Sequence, residues 1–205
     1  LKSIFEVSKT LLSLCTPVRG GSPGFTPYHV FEALKILSRE PSGRIGLALK
    51  LGIGESSART LIERLEAQGL VVRSRSGVMV SERGLELLES ISRGISVFNV
   101  DLGGINWGVS KLLVVWGFKP PRDLVGVFKI RDYIVAEGCR EVIIGGFSNG
   151  VLSYPGMPRD VWEVVSKSIP REALSGEALH VIVPESKLGE AFNGIVKMLS
   201  GMASG

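Results

Sequence analysis

Apolar residues recur at helical spacing in several stretches of the first half of the chain, each closed by a breaker. Val30, Ala33, Leu34 and Leu37 follow Thr26-Pro27, an N-cap with proline at the first helical position, and the stripe runs to Arg39 before Pro41-Ser42-Gly43 ends it. A shorter helix is predicted from about Arg44 to Leu51, stopped by Gly52, and a third from about Glu55 to Gln68, stopped by Gly69. Ile53, Ala58, Leu61, Ile62 and Leu65 form the buried stripe of the third, and the small Ala48 marks a close approach between the second and third. Leu70 to Arg75 and Val78 to Ser81 then read as two strands around a tight Ser76-Gly77 turn, and helical spacing resumes from Ser81 through Leu85, Leu88 and Ile91. Upstream, Leu1 to Leu14 set Lys2, Glu6 and Lys9 among apolar residues as an amphipathic helix does, and Gly20-Gly21-Ser22-Pro23-Gly24 separates it from the helix that begins at Thr26-Pro27.

Helix, helix, turn, helix, hairpin, helix is the element order of a winged helix-turn-helix, predicted here over residues 26–94 with residues 1–25 as a leading helix and linker. If Ala58, Leu61, Ile62 and Leu65 face inward, the opposite face of the third helix carries Glu55, Ser56, Arg59, Thr60 and Glu63. Serine and threonine hydroxyls there can bond bases or phosphates, and Arg59 can meet a guanine edge or a phosphate. Free N–H groups over Gly54 to Ser57, at the helix N-terminus, can seat one phosphate, with Ser56 and Ser57 beside it. Arg73 and Arg75 alternate along the first wing strand and so share a face near Ser74 and Ser76, and Arg44 adds a further phosphate contact. Glu55 and Glu63 oppose this reading, and RNA binding or protein contact are the other uses of such a surface.

Leu61-Ile62-Glu63-Arg64-Leu65-Glu66-Ala67-Gln68-Gly69-Leu70-Val71 resembles the recognition-helix end and wing entry of winged-helix transcription regulators of the MarR-like kind. Over most of the chain there is a closer resemblance to an uncharacterised archaeal family that joins such a domain to a C-terminal domain of unknown function. Gly43-Arg44, Leu51-Gly52-Ile53-Gly54-Glu55, Arg59-Thr60-Leu61, Arg131-Asp132, Gly150-Val151-Leu152 and Pro155 carry it. That resemblance implies a fold and an arrangement, and no activity.

From Ile95 strands alternate with helices. Strands are predicted at Ser96 to Asp101, Leu112 to Phe118, Glu141 to Phe147, Val151 to Tyr154 and Ala178 to Val183, and helices at Leu124 to Glu137, Arg159 to Ser168 and Glu185 to Leu199. Ser148-Asn149-Gly150 is a hairpin signal. Residues 95–205 are therefore expected to form an α/β layered domain with a mixed or largely antiparallel sheet, which makes the whole chain α+β.

Charge sharpens the division. The formal net charge of +4 over 205 residues lies entirely in the first part: residues 1–94 hold 13 basic and 9 acidic side chains, and the remainder holds 11 of each. One domain therefore suits a polyanion and the other is neutral. No phosphate-binding loop or dinucleotide fingerprint occurs, and His180 between Leu179 and Val181 lacks a nucleophile elbow, so the chain is read as a regulator rather than an enzyme. An enzyme carrying a regulatory winged helix, or a protein adaptor, are the alternatives. Trp107, Tyr154 and the Arg131-Asp132 pair are the candidate ligand-binding residues, with Trp116 better suited to a core. Cys15, Cys139, His29 and His180 are too few and scattered for a metal site, and no cofactor is expected. No apolar run reaches the length of a membrane span. A cytoplasmic protein is expected, binding double-stranded DNA as a homodimer, with the C-terminal domain either sensing a small-molecule effector or mediating dimerisation.

Overall fold

A computed structural model describes residues 3–17 and 21–202. Leu1 and Lys2 of the first predicted helix and Gly20 of the breaker cluster lie outside them. The chain divides into two compact units, one of the residues up to Ser92 together with those from Leu199 onward, the other from Arg93 to Met198.

The first unit opens with α1 (Ile4–Cys15), which Ser3 caps reciprocally with Glu6. Val7, Leu11 and Leu14 are its buried face, and it packs against the next helix, α2 (Pro27–Arg39), and against α4 (Glu55–Ala67). α2 starts where Thr26-Pro27 predicts, and α3 (Arg44–Leu51) ends at Gly52. The stripe Ala58, Leu61, Ile62 and Leu65 of α4 is buried as its spacing requires. β1 (Val71–Ser74) and β2 (Gly77–Val80) pair antiparallel, and α5 (Glu82–Gly94) follows.

Three local expectations are corrected. The wing turn is Arg75-Ser76, because Ser74 pairs with Gly77, so Arg75 sits in the turn and does not share a strand face with Arg73. Ser81 leaves β2 to cap α5, its hydroxyl accepting from the Gly84 N–H at 3.0 Å and donating to the Gly69 carbonyl at 2.6 Å. The buried side of α5 is Gly84, Leu87 and Ile91, while Leu85 is exposed. Close approach sets this rotation: a Cβ on Gly84 would lie 2.1 Å from the Leu70 carbonyl oxygen, so only glycine fits against the wing.

The second unit is built on a five-stranded sheet in the order β3 (Ile95–Asp101), β4 (Val109–Trp116), β7 (Ala178–Pro184), β5 (Ile143–Ser148), β6 (Val151–Ser153). Every pairing is antiparallel. β4 begins earlier and ends earlier than its apolar run suggests, since it pairs with β3 from Val109, opposite Asp101, to Val115, opposite Ile95, and turns out of the sheet at Gly117. The Asn149-Gly150 hairpin has left-handed dihedrals at both residues (φ 52° and 77°), as a two-residue turn matched to strand twist requires.

β4 and β7 are covered on both faces, which is why Leu112–Val115 and Leu179–Val183 read as unbroken apolar runs. One face, carrying Leu112, Val114, Ala178 and Ile182, packs with Val165 of α7 (Arg159–Ser168), Ile169, Ala173 and Tyr154. By strand alternation Leu113, Val115, Leu179 and Val181 face the other way, where α6 (Leu124–Ala136) and α8 (Leu188–Met202) supply Ile130, Ile134, Ala191, Phe192 and Ile195. Val135 is only half-buried, and a 3₁₀ turn at Glu185–Lys187 precedes α8.

Candidate nucleic-acid interface

The outer face of α4 and the wing hold the residues that the sequence singles out. Ser56, Arg59 and Glu63 are exposed and Thr60 is half-buried. Thr60 Oγ1 donates back to the Ser56 carbonyl at 3.1 Å, and Arg59 Nε donates to Glu63 Oε1 at 2.9 Å, one turn along the helix. Ser57 turns elsewhere: a Cβ on Gly24 would meet its Oγ at 2.3 Å, so this hydroxyl lies against the loop before α2 rather than on the outer face.

The other arginines are also engaged. Arg44, at the start of α3, is 2.7 Å from Glu55 at the start of α4. Arg73 grips Glu66 through Nε at 2.8 and 3.1 Å and through Nη2 at 2.9 Å, a fork on a carboxylate. That hydrogen bonding holds the Glu66 carboxyl below its usual pKa range and pushes the Arg73 guanidinium further toward its charged form. Arg75 is exposed at the wing tip and has no ion-pair partner among the described residues. Ser74 Oγ donates to the Gly77 carbonyl at 2.9 Å and meets Ser76 Oγ at 3.0 Å, which commits both hydroxyls to the turn.

Between α4 and the wing lies an open cleft of about 360 Å³. Arg44, Arg59, Glu63, Arg73 and Ser74 line it above Ile62 and Val78. A backbone bridge assembles it: Ser42 and Val78 exchange N–H···O bonds, both 3.0 Å, which ties the wing to the segment just before Arg44. The sequence offers only a breaker at Pro41-Ser42-Gly43 and no sign of this pairing. Three guanidinium groups from α3, α4 and β1 thereby converge on one opening.

A fourth arginine carries no sequence signal of its role. Arg64 points to the inner side of α4, where Nη1 donates to the carbonyls of Leu14 (2.6 Å) and Thr16 (2.8 Å) and the guanidinium stacks 5.6 Å from the Phe25 ring centroid. It ties down the last carbonyls of α1 and so holds that helix against α4.

The candidate ligand-binding residues of the second unit do not converge. Tyr154 is core rather than cleft wall: its hydroxyl bonds His180 Nδ1 at 3.0 Å, while His180 Nε2 bonds the Ala173 carbonyl at 3.0 Å. Trp107 is half-buried against the same cluster. Trp116 donates from Nε1 to Ser96 Oγ at 2.8 Å. Arg131 and Asp132 lie on α6, across the sheet from Tyr154, and make no ion pair among the described residues. The unit does have a second open cleft of about 330 Å³, lined by Lys119, Arg122, Ser148, Asn149 and Ser153, none of which the sequence marks as a site.

Burial pushes the Cys15 thiol up to about 12 and the Cys139 thiol up to about 11, which favours the protonated thiol at neutral pH. Among the described residues no group of His, Cys, Asp and Glu could hold a metal ion, and no helix is long and apolar enough to cross a membrane.

Residues 27–95 match the family model described as the CggR N-terminal DNA-binding domain. No curated protein matches the sequence. Among solved structures the chain is similar to a hypothetical protein of Pyrococcus horikoshii OT3, with a TM-score of 0.61 and 19% sequence identity over 88% of this chain and 94% of that chain. At that identity the likeness concerns the fold alone. The match over residues 27–95 coincides with α2 to α5 and the wing, and identifies this part of the chain as the DNA-binding domain of a regulator-type protein.

Proposed function

We propose that the protein is a transcription regulator that binds double-stranded DNA through a MarR-like winged helix, with α4 in the major groove and the wing on the adjacent backbone. The observation that carries this reading is the convergence of Arg44, Arg59 and Arg73 on one cleft beside the exposed polar face of α4, within the segment that matches a DNA-binding domain. Ser56 and Thr60 read base edges, and Arg44, Arg59, Arg73 and Arg75 hold phosphates. A single short reading helix spans few base pairs, so the protein acts in the cytoplasm as a homodimer on a roughly palindromic site, with half-sites about one helical turn apart.

The second domain regulates rather than catalyses. Lys119 and Arg122 beside Ser148, Asn149 and Ser153 favour a small anionic effector in the second cleft. A mobility-shift assay across a series of salt concentrations tests the DNA reading. Binding that weakens steeply with salt and about tenfold on Arg59→Ala supports it. Absence of any duplex binding at low salt, or binding indifferent to Arg59→Ala, overturns it.

A further inference from the structure

Each arginine that lines the α4–wing cleft is matched by one glutamate, and all three glutamates come from α4. Glu55 holds Arg44, Glu63 holds Arg59 and Glu66 holds Arg73. The arginines, by contrast, come from three different elements. A helix that supplied carboxylates only for its own stability would pair within itself, as Glu63 does with Arg59. Glu55 and Glu66 instead reach off the helix, to α3 and to the wing.

We infer that the cleft is one phosphate-binding site held in check by its own carboxylates, which a DNA backbone phosphate must displace from Arg44, Arg59 and Arg73 in order to bind. This rests on the DNA-binding reading and deepens it. Every pair is exposed, so its net worth is small and exchange is energetically cheap. A phosphate offers the same planar two-oxygen edge to the guanidinium fork that the carboxylate now offers. Once displaced, however, each glutamate remains close to the incoming polyanion and repels it. It also recovers a counterion from solution, which offsets part of the counterion release that drives binding. The carboxylates therefore weaken the complex and flatten its salt dependence, so that tight binding is reserved for duplexes that also satisfy the reading face of α4.

The test is a titration of the full chain with a fluorescent duplex of unselected sequence, from about 50 to 300 mM monovalent salt. Glu55→Gln, Glu63→Gln and Glu66→Gln keep side-chain size while removing the charge. Glu32→Gln, whose glutamate pairs with Lys35 on α2 and does not line the cleft, reports the effect of net charge alone. Each cleft variant is expected to bind roughly three- to tenfold more tightly than the parent at the lowest salt, against less than about twofold for Glu32→Gln. The log–log salt slope is expected to steepen by about one per carboxylate removed. If the parent binds duplex DNA and the cleft variants bind no better than Glu32→Gln, the displacement mechanism is wrong and the DNA reading stands. If neither parent nor variants bind at any salt, the DNA reading itself has failed. Three separate pairs keep the test decisive should one variant misfold, which circular dichroism reveals.

Discussion

The hydroxyl of Tyr154 and Nδ1 of His180 lie 3.0 Å apart, wholly inside the second domain. The ring's other nitrogen faces the Ala173 carbonyl, which can only accept, so Nε2 carries the proton and Nδ1 receives the one offered by tyrosine. The neutral imidazole is thus fully satisfied, and no place remains for a second proton.

Burial accordingly lowers the His180 pKa to about 4 from its ordinary value of 6.5. A depressed pKa contributes stability that is complete above 6.5 and is lost as pH falls toward 4. Unfolding free energy is expected to drop by on the order of 3 kcal/mol across that window on account of His180. Denaturant titrations at several pH values check this, with His180→Gln flattening the profile. Tyr154→Phe strands Nδ1 and should cost about 2 kcal/mol at neutral pH.

Arg64→Ala removes two charge-assisted bonds to the end of α1 and the stack on Phe25. A loss of about 2–3 kcal/mol is expected, with increased protease cleavage between α1 and α2. Arg64→Lys should rescue only part, because an ammonium lacks the planar face.

The helix start at Thr26 depends on His29, whose Nδ1 accepts from the Thr26 N–H at 3.0 Å. Substitution by alanine should cost about 1 kcal/mol, as cap removals do. Desolvation lowers the His29 pKa, so this cap is intact at neutral pH and fails as pH drops below its ordinary range.

Gly194 lets α8 touch α6. A Cβ there would stand 2.7 Å from the Ile134 Cα and 2.9 Å from the Tyr133 carbonyl oxygen. Because backbone cannot step aside as a side chain does, Gly194→Ala should destabilise the second domain by about 3 kcal/mol, measured as a lowered melting transition.

At the interface, Arg75→Ala removes a cation at the wing tip that no carboxylate holds among the described residues, and should weaken duplex binding by roughly three- to tenfold. Ser57→Ala should leave binding unchanged, because its hydroxyl lies against the Gly24 loop. Equal losses from both substitutions would mean that the outer face of α4 has been misassigned.

Local signals are legible in the sequence and long-range ones are not. Thr26-Pro27, Gly52, Gly69 and Asn149-Gly150 act within a few residues of themselves, so each marks its boundary, and the element order through α5 follows from them. The outward position of Arg59 follows equally from the α4 stripe. What periodicity cannot reach is a contact such as Ser42 with Val78 or Arg64 with Leu14, where either partner reads locally as a loop or a solvated charge. The wing turn slips by one residue because Gly77 has the dihedral of a turn (φ 130°) while pairing as a strand. Tyr154 is ambiguous because the partner of its hydroxyl lies in a strand 26 residues away.

The strand order of the second sheet also dictates a timetable. β7 lies between β4 and β5, yet of all five strands it is the last to leave the ribosome. Until Ala178–Pro184 emerges, the β3–β4 and β5–β6 hairpins have nothing to join them, and the apolar faces of Leu112–Val115 stay open. α1 to α5 and the wing all precede that strand in the chain and can begin to pack while it is still being made, and the residues from Leu199 onward join them last. The nascent chain thus passes through a stage in which the helices and wing that precede the sheet can pack while the sheet itself still needs shielding from aggregation.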